Sequence, residues 1–321
     1  MVPERPPVIA LMGPTASGKT GLAIQLAHEL NGEIISVDSG LVYRGLDIGT
    51  AKPTQVEREG VPHHLIDILD PSETFSTGQF RARALELMAD ITARERLPLL
   101  VGGTMLYFHA LFRGLAPLPP ANPEIRQQID GEASRLGWGR LHEQLAQVDP
   151  VAAARIHPND PQRIQRALEV YRLTGMALTD LCAEGEAELP PFGFIRVMLA
   201  PSSREALGER IRRRFLGMLE GGLVDEVKTL RARGDLDEHL PSMRAVGYRQ
   251  VWRHLEGEYT FEEMVERGVI ATRQLAKRQL TWLRREQSAL SYLSEDKALL
   301  QSVLRDVLDG RSRRYLPVPA P

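Results

Sequence analysis

The chain has 321 residues, 40 basic and 42 acidic side chains, a net charge of −2, and 43 % apolar against 26 % charged residues, the profile of a soluble globular protein rather than a disordered one. Cys182 is the only cysteine, which excludes an intramolecular disulfide framework and a multi-cysteine zinc site and fits a reducing cytoplasm. No apolar run approaches the ~20 residues of a membrane span, and the near-neutral charge confines any nucleic-acid binding to local basic patches.

The opening Met1-Val2-Pro3-Glu4-Arg5-Pro6 lacks a basic start with an apolar stretch behind it, so no secretory signal is expected. Val8 to Met12 reads as a buried strand ending at a glycine. Leu22, Ile24, Leu26, Ala27 and Leu30 then keep helical spacing until Asn31-Gly32 stops them. A second strand is expected at Ile34 to Val37, followed by the polar, glycine-rich stretch from Asp38 to Lys52, and a third strand around Leu65 to Ile68. Phe80, Ala84, Leu87 and Ile91 predict a helix capped by Ser76 or Thr77, and Leu99 to Val101 a strand running into Gly102-Gly103. Strands alternating with helices imply a mostly parallel sheet covered on both faces.

From the proline-rich Pro117 to Pro123 onward the signals are helical. Asp160-Pro161 starts a helix that runs through Ile164, Leu168 and Tyr171 to Gly175. Phe194 to Leu199 returns to a strand pattern. Ser202 and Glu205 have capping-box spacing ahead of Leu207, Ile211, Phe215 and Met218, and a further helix is expected from Phe261 to Arg285. The tail from Arg311 to Pro321 reads as loosely ordered. The expected fold is α/β, a parallel sheet core flanked by helices with an inserted all-helical subdomain. The core's first part spans 1–114, the insertion 115–190, and the core's completion with C-terminal helices 191–321.

Gly13-Pro14-Thr15-Ala16-Ser17-Gly18-Lys19-Thr20 matches the phosphate-loop pattern at every fixed position, between a predicted strand and a predicted helix. Glycines let backbone N–H groups wrap an anion and the helix N-terminus adds its positive end. Lys19 supplies a point charge, and the Thr20 hydroxyl is suited to Mg²⁺. The loop predicts phosphate binding without saying which phosphate. Asp38 stands at the carboxyl end of the second strand, the edge where open α/β sheets place ligands. On position alone it is equally a turn former or a base.

With these residues in view, the chain resembles the tRNA dimethylallyltransferase (tRNA isopentenyltransferase) family of bacterial type, over nearly its whole length. The phosphate loop carries part of the resemblance. The rest lies in Asp38-Ser39, the run Val42 to Pro53, Val101-Gly102-Gly103-Thr104, Asn159 to Ile164, Ala245-Val246-Gly247-Tyr248 and Thr272 to Gln279. The resemblance implies transfer of a dimethylallyl group from dimethylallyl diphosphate to N6 of an adenosine 3′-adjacent to the anticodon in certain tRNAs, releasing diphosphate without ATP hydrolysis. Mg²⁺ is the implied cofactor, with Thr20 contacting metal and diphosphate. Asp38 matches the acid that accepts the N6 proton. Arg214 matches an arginine steadying the diphosphate, although Arg212, Arg213 and Arg214 leave the register open.

The same resemblance assigns tRNA contact to Asp38, Ser39, Gly40, Leu41, Thr104, Arg126, Gln162, Arg163, Arg166, Arg244, Gly247, Tyr248, Arg249, Lys277, Arg278, Gln279 and Arg284. It implies a cytoplasmic monomer away from membranes. Leu41 departs from the glutamine of many relatives, so no side-chain amide there bonds the base. The basic run helps: Arg267 to Arg285 holds six basic residues and no acidic one. Taken alone such a run is a solvated face, and the resemblance turns it into an RNA-phosphate surface. Thr104 follows Gly102-Gly103 where backbone approaches a ligand closely, or caps the next helix. His63-His64 carries no metal-ligand spacing, and Trp138, Trp252 and Trp282 read as packing anchors. The rivals are an ATP-dependent kinase, a dimethylallyltransferase for a free adenine nucleotide, and an RNA-binding ATPase.

Overall fold

The computed structural model describes residues 5–184 and 189–312. The opening segment before Arg5 and the tail beyond Ser312 lie outside the described residues. Short apolar runs build the sheet: β1 (Pro7–Met12) is followed by α1 (Lys19–Glu29), β2 (Gly32–Val37) and a two-residue β3 (His63–His64). Then come α2 (Thr77–Ala93), β4 (Leu97–Gly102) and α3 (Met105–Arg113). A helical stretch follows with α4 (Pro123–Leu136), α5 (Trp138–Val148), α6 (Pro150–Arg155), α7 (Pro161–Thr174) and α8 (Leu178–Glu184). The chain re-enters the sheet at β5 (Gly193–Ala200). It continues through α9 (Arg204–Glu220), α10 (Leu223–Ala232), α11 (Tyr248–Leu255), α12 (Phe261–Leu283), β6 (Leu290–Leu293) and α13 (Leu299–Ser312).

All strand pairs are parallel, in the order β3-β2-β4-β1-β5-β6. Val8 to Met12 are buried without alternation because helices cover both faces. On one face α2 and α3 bring Phe80, Met88, Ile91 and Phe108 against Ile35, Val37 and Leu100. On the other, Leu22 and Leu26 of α1 meet Ile9, Leu11, Leu99 and Val303. A third core joins α9 to α12 with Val42, Tyr43 and Leu46 of the stretch after β2.

The chain divides into two compact units, one of Met1–Phe112 with Pro190–Pro321, the other of Arg113–Leu189. In the smaller unit three helices start alike. Asn122, Asp149 and Asp160 each cap with a side-chain oxygen, and Pro123, Pro150 and Pro161 take the first helical turn. Its core is Ile129, Leu141, Leu145, Ile164 and Leu168. Within it, fully buried Glu169 accepts from the Asn122 N–H at 2.8 Å, from Arg126 Nε at 2.9 Å and from Arg166 Nη1 at 2.7 Å. Burial opposes its ionisation, yet these bonds hold the carboxyl below its usual range.

Two expectations are corrected and one strand is unanticipated. Leu65 to Ile68 is not a strand, because Leu65 (φ 60°) and Asp67 (φ 57°) take left-handed backbone; the strand there is only His63–His64. The cap of α9 is Ser203, which accepts from the Ala206 N–H at 3.0 Å, while the Ser202 N–H donates to Glu295 at 3.1 Å. β6 has no counterpart among the predicted strands: it is a four-residue edge strand, mostly exposed, with no alternation to announce it.

Candidate active site at the strand ends

The carboxyl ends of β1, β2 and β4 bring the chemistry together. Leaving β1, the phosphate loop turns through two left-handed residues, Ala16 (φ 61°) and Gly18 (φ 82°), so that its amides fold around a concavity. α1 begins there with no side-chain cap and no acidic residue in its first turn, leaving its first N–H groups for an anion. Lys19 Nζ donates to the Pro14 carbonyl at 2.6 Å and lies 3.4 Å from Ser17 Oγ. Desolvation lowers its ammonium to about 7, against the pull of Asp38 and together with the push of Arg214. The Thr20 side chain is exposed on the same turn.

Asp38 follows β2 directly and is half-buried; its Oδ1 accepts from the Gly40 N–H at 2.8 Å, leaving the rest of the carboxylate free for a proton. Thr104 holds this corner from β4. Its N–H donates to the Val37 carbonyl at 3.1 Å, and its Oγ1 accepts from the Ser39 N–H at 3.1 Å. Thr104 also begins α3 through its carbonyl, which accepts from the Tyr107 N–H at 3.0 Å. The side chain therefore braces Asp38's neighbour instead of capping. Glycine at 102 admits the protein's own backbone rather than a ligand: a Cβ there would lie 2.0 Å from the Val37 carbonyl oxygen.

The open register among three arginines has a structural counterpart. Arg212 and Arg213 are exposed, whereas Arg214 is half-buried, with Nη2 3.5 Å from the Thr50 carbonyl. Desolvation lowers its guanidinium, partly offset by Asp38. The stretch that supplies Thr50 is tied down by residues far away in sequence. Glu226 of α10 accepts from the N–H groups of Asp47 (3.0 Å), Ile48 (2.8 Å) and Gly49 (3.2 Å), and from the Tyr248 hydroxyl. Lys52 closes the other side on the Tyr43 carbonyl at 2.8 Å and on Asp47 and Asp67. A Cβ on Gly49 would stand 2.5 Å from the Tyr248 ring and 2.8 Å from Leu223. Gly49→Ala is therefore expected to destabilise by ~1–3 kcal/mol, read as a lower urea midpoint. An unshifted midpoint would show that this clasp yields.

Residues expected on RNA fall into different surroundings. Lys277 and Arg278 are exposed on α12 and Arg284 just past its end, while Arg249 is exposed on α11 and Arg244 just before it. Arg244 and Arg249 line a cavity of about 220 Å³ with Glu238, His239 and Arg253. This cavity holds none of the phosphate-loop residues. Tyr248 is corrected: it is fully buried on Glu226, and Gly247 beside it is buried too, so neither offers a side chain to RNA. In the smaller unit Gln162 is exposed, Arg163 pairs with Asp160, and Arg126 and Arg166 pair with Glu169. Ser39 is exposed, and Gly40 and Leu41 are half-buried. Trp282 is exposed, against the expectation of a packing anchor, and meets the His109 ring edge-on at 5.9 Å.

Gln279 turns inward from the same helix. Its Oε1 accepts from the Thr15 N–H at 2.8 Å, and its Nε2 donates to the Gly103 carbonyl at 2.9 Å. Sequence reasoning missed Glu226 and this use of Gln279; neither sits in a pattern that marks long-range partners.

The donor set suits Mg²⁺. Among the described residues no group of three or more His, Cys, Asp or Glu side chains is arranged to hold a metal. Mg²⁺ keeps several waters and binds through few protein oxygens plus substrate phosphates. The exposed Thr20 hydroxyl beside the loop amides fits an ion that arrives with a diphosphate.

Comparisons with known proteins point to one family. The family described as IPP transferase matches residues 41–286. A tRNA dimethylallyltransferase of Methylococcus capsulatus is 65 % identical over 89 % of this chain and 92 % of its own length. One of Nitrosococcus oceani is 56 % identical over 94 % of this chain and 96 % of its own. Among solved structures, the full-length tRNA isopentenylpyrophosphate transferase of Bacillus halodurans matches with a TM-score of 0.71 and 40 % identity, covering 96 % of this chain and 97 % of that one. A eukaryotic dimethylallyltransferase acting on tRNA matches at 0.81 with 28 % identity, over 98 % of this chain and 81 % of that one.

Proposed function

The chain belongs to the IPP transferase family and acts as a tRNA dimethylallyltransferase; from that premise we propose how its residues divide the work. The donor is dimethylallyl diphosphate, held by the loop Gly13 to Thr20. The acceptor is N6 of the adenosine 3′-adjacent to the anticodon. N6 attacks the allylic carbon, the carbon–oxygen bond to diphosphate breaks, and the N6 proton passes to Asp38. The loop N–H groups, Lys19 and Arg214 take the negative charge that develops on the leaving group. The Thr20 hydroxyl would help hold a Mg²⁺ ion, which would supply further neutralisation of the diphosphate charge. The observation that carries this reading is the meeting of three chain segments at one edge of the parallel sheet: the phosphate loop after β1 with Lys19 on the Pro14 carbonyl, Asp38 after β2, and Thr104 after β4 bracing Ser39.

An adenine in a folded loop must leave its stack to be reached. The exposed Lys277, Arg278, Arg284, Arg244 and Arg249 suit the RNA backbone that carries it. Gln162 and Arg163, with Arg126 and Arg166 beside them, are assigned to the same task in the helical unit. No helix of the described residues is long and apolar enough to cross a membrane. We assign the enzyme to the cytoplasm as a monomer.

The test combines purified protein, Mg²⁺, isotope-labelled dimethylallyl diphosphate and unmodified tRNA, with adenosine monophosphate competing and ATP hydrolysis followed in parallel. Label on tRNA is the expected result. Label on the free nucleotide would move the acceptor, and ATP consumption without label would end the proposal.

The lowered Lys19 gives a pH dependence with a defined sign. Its ammonium is half lost at about 7 in the free protein, and a bound diphosphate favours the charged form. The Lys19 contribution to diphosphate affinity is thus complete only well below pH 7. It weakens by up to ~10-fold per pH unit above 7, until the bound state's own higher value is reached. Calorimetric Kd values for Mg²⁺-diphosphate should rise more steeply between pH 6 and 9 for the unaltered protein than for Lys19→Ala. Parallel profiles would remove Lys19 from the effect.

A further inference from the structure

We propose that Glu226 is a positioning residue for the leaving group: it fixes the turn whose Thr50 carbonyl aims Arg214 at the diphosphate. The proposal rests on the reading of Arg214 given above and adds the residue through which α10 reaches the site.

The stretch from Asp47 to Lys52 belongs to no strand or helix, and its shape comes from short internal bonds. The Ala51 N–H donates to the Ile48 carbonyl and the Lys52 N–H to the Asp47 carbonyl, each at 2.9 Å. Thr50 Oγ1 donates to the Leu46 carbonyl at 2.6 Å. Such a turn moves as a unit, and where it stands is decided from outside. Glu226 decides it with both carboxylate oxygens. Oε2 accepts from the Asp47 and Ile48 N–H groups, and Oε1 from the Gly49 N–H and the Tyr248 hydroxyl. Successive N–H groups converging on one carboxylate form an anion nest, and the charge makes each bond stronger than its neutral counterpart. Tyr248 is fully buried; burial, and Glu226 beside it, raise its hydroxyl above the usual range, so it stays protonated and donating.

Thr50 carries this setting into the site. Its carbonyl lies 3.5 Å from Arg214 Nη2, and Arg214 forms no ion pair among the described residues. Its Cγ2 lies against Gly40, where an added Cβ would come within 3.1 Å, and the Gly40 N–H donates to Asp38 Oδ1. The turn is thus wedged between the Asp38 corner and the arginine. A half-buried guanidinium with no carboxylate to fix it keeps its direction only while the carbonyl beside it keeps its place. Releasing the turn leaves Arg214 with its charge and without its aim.

The test measures Kd for inorganic diphosphate with Mg²⁺ by calorimetry on the full chain, on Glu226→Gln, on Arg214→Ala and on the double variant. Glutamine keeps one acceptor and sets an NH₂ against at least one of the backbone N–H groups. It also removes a negative charge, which electrostatics alone would turn into tighter anion binding. The expected result is the opposite: a Kd about tenfold weaker in Glu226→Gln, but within about twofold of its parent when Arg214 is already alanine. Tyr248→Phe removes the hydroxyl bond to Glu226 and keeps the buried ring. It should give a loss of about threefold with the same dependence on Arg214, and it carries the test if the glutamine variant does not fold. A tightened or unchanged Kd, or equal losses with and without Arg214, would overturn the positioning role and leave Glu226 a brace of the fold. An Arg214→Ala protein that binds diphosphate as tightly as the unaltered one would instead overturn the reading of Arg214, and this proposal with it.

Discussion

Asp38→Asn is expected to lower kcat by ~10²–10⁴ while the Kd for unmodified tRNA stays within about twofold. The substitution is chosen for what it keeps. Asparagine retains an Oδ1 to accept from the Gly40 N–H, so the turn after β2 holds its shape, and the braces from Thr104 to Val37 and Ser39 are untouched. What disappears is the negative charge and, with it, the capacity to take the proton from N6. One side effect follows from the electrostatics. Asp38 raises the Lys19 ammonium toward its ordinary value, so its loss pushes Lys19 further down and weakens diphosphate binding at neutral pH. Following kcat from pH 8 down to pH 5 separates the two, because lowering the pH restores the Lys19 charge in the variant and does not restore a base. A kcat that recovers at low pH would reduce Asp38 to a support for Lys19; a kcat that stays low marks it as the base.

What was legible in the sequence depended on whether a local rule demanded particular residues. Gly13 to Thr20 stood out because wrapping an anion with backbone N–H groups requires glycine at the turns and lysine at one place. Buried strands such as Ile34 to Val37 announced themselves as unbroken apolar runs, and Asp160-Pro161 as a cap. The apolar stretch from Leu65 to Ile68 looked the same as a strand, but its left-handed residues follow from Lys52 reaching Asp67 and from amides answering Leu41 and Val42. Glu226 serves three N–H groups more than 170 positions away, a relation with no periodicity to reveal it. Tyr248 and Gln279 sat in recognised runs, yet the runs carry two kinds of residue. Exposed Arg249, Lys277 and Arg278 point to a partner, while Tyr248 and Gln279 turn inward to hold the loops that form the site. Spacing along a chain separates these only when burial is known.

Arg214 is the residue for which that burial makes the sharpest expectation. Three adjacent arginines on α9 are chemically identical, but helical geometry sends them in different directions. Arg212 and Arg213 are exposed, and a charge in water contributes little to a neighbour beyond its own contact. Arg214 is half-buried, and its hydrogen bond to the Thr50 carbonyl is long, 3.5 Å. A guanidinium desolvated in this way without a close carboxylate is strained toward an anion, and a diphosphate satisfies it. Arg214→Ala should therefore lower kcat/KM for dimethylallyl diphosphate by ~10²–10³ at saturating tRNA. Arg212→Ala and Arg213→Ala should stay within about threefold. Stability should move the other way from activity. Removing a half-buried cation that forms no ion pair among the described residues leaves Tm unchanged or raised, whereas a merely structural arginine would lower it. Equal losses for all three arginines, or an inactive Arg214→Ala with a depressed Tm, would return Arg214 to the scaffold and leave Lys19 and the loop amides to hold the leaving group alone.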